Sequence, residues 1–286
     1  MDYKHCQLCP RNCGVDRNHT EGFCRMPAGA LVSKVMRHHW EEPVLAGDGG
    51  SGAIFFSGCT LGCLYCQNDA ISRGPVGSPM DAGMLRKVME DLIVQGAENI
   101  DLITPTHFLP DIIPALKPRL PVPVVYNCGG YERVETLKML QGLVDIYLPD
   151  LKYADGALSR RLSGAGDYFE TAAAAIREMV RQTGPYVMEG QRLKRGVLIR
   201  HLILPGQVEN SLRVLDWIGE SFPKGTVLVS LMRQYTPMPK VYGMPPLDRR
   251  VTQEEFDGVL SWMYLNDLEG FTQEAQSADT EFIPDF

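Results

Sequence analysis

From about residue 53 onward, apolar and polar positions alternate in a regular way. Apolar runs at 53–57, 99–104, 123–127, 144–150, 196–206 and 226–232 read as strands, rich in Ile, Val and Leu as strands buried on both faces are. The stretches between them carry a helical period. Residues 81–96 place Leu85, Val88, Met89, Leu92 and Ile93 on one stripe and stop at Gly96. A short, Pro-rich helical segment precedes the third strand. Further helices are expected over 131–142, 167–183 and 210–220, with Gly184 and Pro185 ending the second of these. Six strands alternating with helices predict a parallel sheet with right-handed crossovers. Six units are too few for a closed eightfold barrel. The expected fold is therefore α/β: an open, partial (β/α)6 TIM-like barrel over residues 51–235. Residues 1–50 are set apart as a small cysteine-rich, metal-binding segment, and residues 236–286 as a helical extension and tail. The last fifteen residues hold four acids and no base, and are expected to pack loosely.

Composition narrows the function classes. The chain has 286 residues, 44% of them apolar, which is enough for one large α/β domain. Its net charge of −7 argues against nucleic acid, which requires a basic face. No eighteen-residue apolar run is present, so no membrane span is expected. The first residues lack the apolar stretch of a leader, which makes the cytoplasm the expected compartment. In a reducing compartment, clustered cysteines are more often metal ligands or catalytic thiols than disulfides.

Eight cysteines form three groups. Cys59, Cys63 and Cys66 follow the first barrel strand in C-x3-C-x2-C spacing, at the end of the sheet where such folds place their chemistry. Three thiolates leave a tetrahedral zinc site incomplete. They can hold three irons of a [4Fe–4S] cubane and leave the fourth open to a small molecule. Cys6, Cys9, Cys13 and Cys24 form C-x2-C-x3-C-x10-C, a full set for either zinc or a second, closed [4Fe–4S] cluster, with His5 and His19 alongside. Cys128 stands alone and is expected to be a packed strand-end residue. His38 and His39 are expected to be ordinary loop residues.

The three-cysteine loop resembles that of the radical S-adenosylmethionine (SAM) superfamily. The resemblance implies a cluster whose open iron chelates SAM, reductive cleavage to a 5′-deoxyadenosyl radical, and hydrogen abstraction from a substrate. It places Tyr65 near the adenine. After the fourth strand, Asp150 and Lys152 resemble the D-x-K element of glycyl-radical-enzyme activating enzymes, near the methionine end of SAM. Arg200 to Gly206 resembles their R-x4-P-G segment. Where that family carries G-G-E-P, this chain has Thr104, Pro105, Thr106 and His107. The threonine hydroxyls and carbonyls are expected to accept from the SAM ammonium, and His107 either to donate a proton or contact substrate, or to cap the next helix. Asn127, at the end of the third strand, joins the cofactor-binding set. Gln234 and Tyr235 stand where a histidine near the ribose is expected. These departures are similar to the pyruvate formate-lyase activating enzyme homologs of uncertain substrate.

The implied activity is a radical SAM oxidoreductase that activates or modifies a protein or peptide, fed electrons by a flavodoxin or ferredoxin. The alternative is a small acidic metabolite held by Lys152, Arg200 and Arg233. Arg200 and His201 alternate along one strand, so only one of them can face the barrel interior.

Overall fold

The computed structural model describes residues 2–272; the loosely packed tail expected from the sequence lies outside these, save Thr272. Ten strands make one sheet: β1 (Ala30–His38), β2 (Ser51–Phe56), β3 (Ser78–Met80), β4 (Ile100–Ile103), β5 (Val124–Cys128), β6 (Ile146–Pro149), β7 (Val187–Glu189), β8 (Arg192–Leu202), β9 (Leu228–Met232) and β10 (Gly270–Thr272). The spatial order is β10-β9-β8-β6-β5-β4-β2-β1-β3, with β7 paired to β8 as a hairpin. From β2 to β10 every neighbour is parallel. The six expected strands are β2, β4, β5, β6, β8 and β9. The sheet curls but does not close, leaving a seam between its β3 and β10 edges.

Period-two alternation sorts each strand between two apolar layers. On the convex side, Ile54, Leu102, Tyr126, Tyr147, Ile199 and Val229 pack against the crossover helices. These helices include α3 (Ala82–Val94), α7 (Tyr168–Thr183) and α8 (Val208–Ser221). On the concave side, Val125, Ile146, Leu148, Leu198 and Leu228 enclose a lumen and pack on Leu45. The lumen is not wholly apolar: Asp101 from β4 and Ser230 from β9 are fully buried, and Arg200 of β8 is largely so.

Strand β1 was not foreseen. It runs antiparallel to β2, and His38 lies opposite Ser51 at the start of β2. The chain thus leaves β1 at the lower mouth of the barrel. Residues 39–48 cross that mouth, where Arg192 at the start of β8 donates to the Pro43 carbonyl (3.4 Å). The helix expected over 131–142 shortens to Val134–Lys138. Among the described residues, no helix is long and apolar enough to cross a membrane.

Candidate active site at the upper strand ends

The loop after β2 carries Cys59, Cys63 and Cys66 into one side of a cavity of about 830 Å³. Gly58 makes the exit from the strand possible. Its φ is +78°, and a Cβ there would lie 2.5 Å from the Met26 side chain and 2.8 Å from the Cys24 carbonyl. Within the loop, the Leu61 and Gly62 N–H groups point at Cys59 Sγ (3.4 and 3.5 Å). Hydroxyls run in series from Tyr65 to Tyr153 (2.8 Å), Ser163 (2.7 Å) and Cys63 Sγ (3.1 Å). Tyr153 and Ser163 carried no signal in the sequence.

All three cysteines are unbridged. Burial and the neighbouring Cys63 push the Cys59 thiol up, and burial with Cys63 and Cys59 pushes Cys66 to about 12. Sulfurs crowded in this way ionise readily only when a bound cation compensates them. Backbone N–H groups aimed at sulfur, with Lys152 facing the cysteines from across the cavity, suit an iron–sulfur cluster.

Opposite the loop lies a charged network. Asp150 Oδ2 accepts from Lys152 Nζ (2.6 Å), and Asp150 Oδ1 accepts from Arg200 Nε (3.0 Å). Arg200 also donates to Asn127 Oδ1 (2.6 Å), and Asn127 Nδ2 donates to Asp101 (3.3 Å) and Glu41 (3.4 Å). Burial raises Asp150, but Arg200 and Lys152 outweigh it and hold the carboxyl below its ordinary range. Asp101 moves the other way. Burial and the adjacent Glu41 push it well up from the ordinary carboxylate range. Glu42 accepts from Ser230 (3.0 Å). Nothing in the residue pattern marks this carboxyl layer, because Glu41 and Glu42 arrive from below on the unforeseen crossing segment.

Tyr65, Thr104, Asn127, Asp150, Lys152, Arg200, Gln234 and Tyr235 all border the same cavity as the three cysteines. Thr106 and His107 do not, which corrects the expectation placed on them. Thr104 sits at φ +59°, a strained conformation for a β-branched residue, and a 3-10 turn over Thr106–Phe108 follows. The turn swings both side chains to the convex side. Thr106 donates to Glu132 (2.7 Å), and the fully buried His107 ring meets the Ser57 carbonyl (2.6 Å). Burial, with Arg17 nearby, lowers His107 to about 3, so it is neutral. Arg233 lies outside the cavity, over the Phe256 ring and bonded to Gln253. Of the three cations expected to hold an acidic metabolite, Arg233 is thus outside the cavity, while Lys152 and Arg200 border it, each bonded to Asp150.

His201 turns to the convex side, against the Leu151 carbonyl and Ser211, while its neighbour Arg200 faces the lumen. Cys128 is buried at the cavity edge. His38 belongs to β1 rather than a loop, and with His39 it rims the seam.

The N-terminal cysteines lie against the back of this loop. Cys6, Cys9 and Cys24 are buried and Cys13 is partly so; all are unbridged. Arg11, between Cys9 and Cys13, donates to the carbonyls of Thr60 (2.8 Å), Leu61 (3.5 Å), Ser163 (2.8 Å) and Gly164 (2.5 Å). Its guanidinium also lies 3.8 Å from the Phe23 ring centre. Among the described residues, no three His, Cys, Asp or Glu side chains draw together tightly enough for a single metal ion.

Comparison with known proteins agrees with this layout. Residues 45–106 match the family model for a 4Fe-4S single cluster domain. An uncharacterized protein of Methanocaldococcus jannaschii is 28% identical over 272 residues, covering 90% of this chain and 74% of its own. A radical SAM methyltransferase from Sphaerobacter thermophilus superposes with a TM-score of 0.55 at 14% identity, over 87% of this chain and 78% of its own. Streptococcus suis SuiB bound to precursor peptide SuiA gives a TM-score of 0.55 at 13% identity, over 76% of this chain and 47% of SuiB. This chain therefore spans about half the length of SuiB. Identities this low establish the fold alone: the chain has the partial α/β barrel that SuiB and the radical SAM methyltransferase also have.

Proposed function

We propose that the protein is a radical SAM enzyme that abstracts hydrogen from a peptide or protein. The observation that carries this reading is convergence: Cys59, Cys63, Cys66, Asp150, Lys152 and Arg200 all face one cavity. With a [4Fe–4S] cluster and SAM bound, the cofactors supply the electron and the hydrogen-abstracting radical.

The chain's own residues bind and orient. The three cysteines hold the cluster. Lys152 meets the SAM carboxylate, and Asp150 fixes Lys152 in place. Thr104, at φ +59° on the cavity wall, would offer its backbone carbonyl to the SAM ammonium. Arg200 and Asn127 brace the lumen below, and Gln234 and Tyr235 wall the far side. The open seam favours a large substrate. SuiB, of like fold, has been solved with a precursor peptide, and the D-x-K and R-x4-P-G resemblances point toward an activase-like role, with a flavodoxin or ferredoxin as electron donor. A small acidic metabolite is the weaker reading, because Arg233, one of the three cations expected to hold it, lies outside the cavity over the Phe256 ring.

The test is anaerobic incubation of the reconstituted protein with dithionite and SAM. Formation of 5′-deoxyadenosine is expected; its absence with a full cluster refutes the enzyme reading. Deuterium-labelled cell extract, split by size, then tests the substrate class. Label should enter 5′-deoxyadenosine from the protein fraction, and transfer only from the small-molecule fraction refutes a peptide or protein substrate.

A further inference from the structure

Arg17 is one of the largest fully buried side chains, 1% exposed. Its guanidinium donates to the carbonyls of Met26 (3.0 Å), His107 (2.5 Å) and Pro27 (2.6 Å). The Tyr3 and Phe108 rings flank it at 4.8 and 5.4 Å. Among the described residues no carboxylate pairs with it. A buried cation without a counter-charge is strongly disfavoured. The remaining hydrogen-bonding atom at its side is Cys6 Sγ, at 4.0 Å.

That sulfur belongs to a set. Phe23 N–H points at Cys13 Sγ (3.3 Å), and a Cβ on Gly22 would lie 3.4 Å from Cys13 Sγ and 3.9 Å from Cys24 Sγ. Cys9 lies within electrostatic reach of Cys13 and Cys24, and Cys24 of Cys6 and Cys13; the backbone folds back between them, with Gly14 N–H donating to the Cys6 carbonyl (2.9 Å) and Asn12 N–H to the Cys9 carbonyl (3.0 Å). As thiols these side chains give Arg17 nothing. As unligated thiolates they would repel one another in a buried site. Thiolates bound to a metal centre satisfy both conditions, because the centre draws the sulfurs together and leaves a net negative charge.

Four thiolates close either a zinc site or a cubane completely. Arg11, between Cys9 and Cys13, ties this segment to the loop that bears Cys59 and Cys63, and that loop lies within the 4Fe-4S match, which favours the cubane.

We propose that Cys6, Cys9, Cys13 and Cys24 hold a second, fully thiolate-ligated [4Fe–4S] cluster, with Arg17 as its buried counter-charge. With every iron ligated by protein, this cluster has no open position for SAM. Its chemical class is that of a closed one-electron centre, packed through Arg11 against the loop that bears Cys59 and Cys63. The inference goes beyond the proposed function and does not depend on its substrate.

The test is iron, sulfide and zinc analysis of the wild-type chain after anaerobic reconstitution, repeated on two variants. Two cubanes predict about eight irons in the wild type and negligible zinc. About four should survive Cys59→Ala/Cys63→Ala/Cys66→Ala, and about four Cys6→Ala/Cys9→Ala/Cys13→Ala/Cys24→Ala. Four irons with one zinc in the wild type overturn the cluster, and four irons all lost in the triple variant overturn the second centre altogether. Four irons kept in the triple variant but lost in the quadruple one leave the N-terminal cluster standing and refute the assignment of the Cys59 loop instead. Arg17→Met should lose the N-terminal irons alone, while Arg17→Lys keeps them. If a variant is insoluble, the wild-type count still decides.

Discussion

Lys152→Met removes a single charge from the cavity wall and leaves the shape of the stem. In the native chain Lys152 Nζ sits 2.6 Å from Asp150 Oδ2, with side-chain exposures of 17% and 14%. Burial works against the ammonium, but Asp150 and Cys63 outweigh it and hold its pKa above the ordinary range. A raised lysine pKa stabilises the fold below its unfolded value near 10.4 and loses that contribution as pH rises through the folded pKa. Asp150, held low, contributes above about 3.9 and loses it in acid. Between these limits both groups are charged. Deleting Lys152 leaves Asp150 its bond to Arg200 at 3.0 Å, so the fold should lose only about 1–2 kcal/mol. Binding should suffer more. A charge-assisted hydrogen bond is worth roughly 1.5–3 kcal/mol, which is on the order of 10- to 150-fold in Kd. Anaerobic titration calorimetry with SAM measures this, with the cluster's visible absorption as the control. An unchanged Kd with the cluster intact would refute a carboxylate contact at Lys152. Loss of the cluster itself would mean that Lys152 serves the thiolates instead.

Three further outcomes follow from the geometry. His107→Ala should destabilise the chain by about 2–4 kcal/mol in urea unfolding, through lost packing and an orphaned Ser57 carbonyl, yet leave the Kd for SAM unchanged; a weakened Kd at full stability would restore the cavity role. Burial depresses His107 to about 3 and His201 to about 4. The unfolded chain therefore binds more protons between about pH 6.5 and 3, so urea midpoints should fall as pH drops through that range. His201→Gln should flatten the dependence, and a profile as steep as wild type would contradict the assignment. Arg11→Ala strips four carbonyls of a part-exposed donor. A loss of about 1–3 kcal/mol is expected, with protease cutting within residues 2–29 ahead of global unfolding; simultaneous cutting throughout the chain would argue against a clasp.

The barrel was legible because its strands are uninterrupted apolar runs, and the loop at Cys59 because thiol spacing survives any ignorance of geometry. The polar lumen was not. Asp101 hides inside an apolar run, and its partner Glu41 comes from a segment with no periodicity. β1 was missed for a related reason: as a strand near the sheet edge it buries only Ala30 and Val32, and Lys34 and Arg37 interrupt its pattern. The error at His107 has a sharper cause. Pro105 ends the regular strand but does not tell which way the chain leaves β4, and Thr104 at φ +59° turns it over the rim. Backbone strain of that kind leaves no mark in composition or spacing.

The clasp at Arg11 has a consequence for how the chain is made. Its carbonyl partners at Thr60 and Gly164 lie 49 and 153 residues downstream. At roughly 5–20 residues per second, the ribosome needs about 8–30 s to supply the later one. Throughout that interval Cys6, Cys9, Cys13 and Cys24 are already synthesised but have nothing to dock on, and are open to whatever delivers or oxidises them. Translation therefore imposes an order of maturation, in which the N-terminal thiols can be loaded during synthesis and the Cys59 loop reaches its final setting only after Ser163 and Gly164 have emerged.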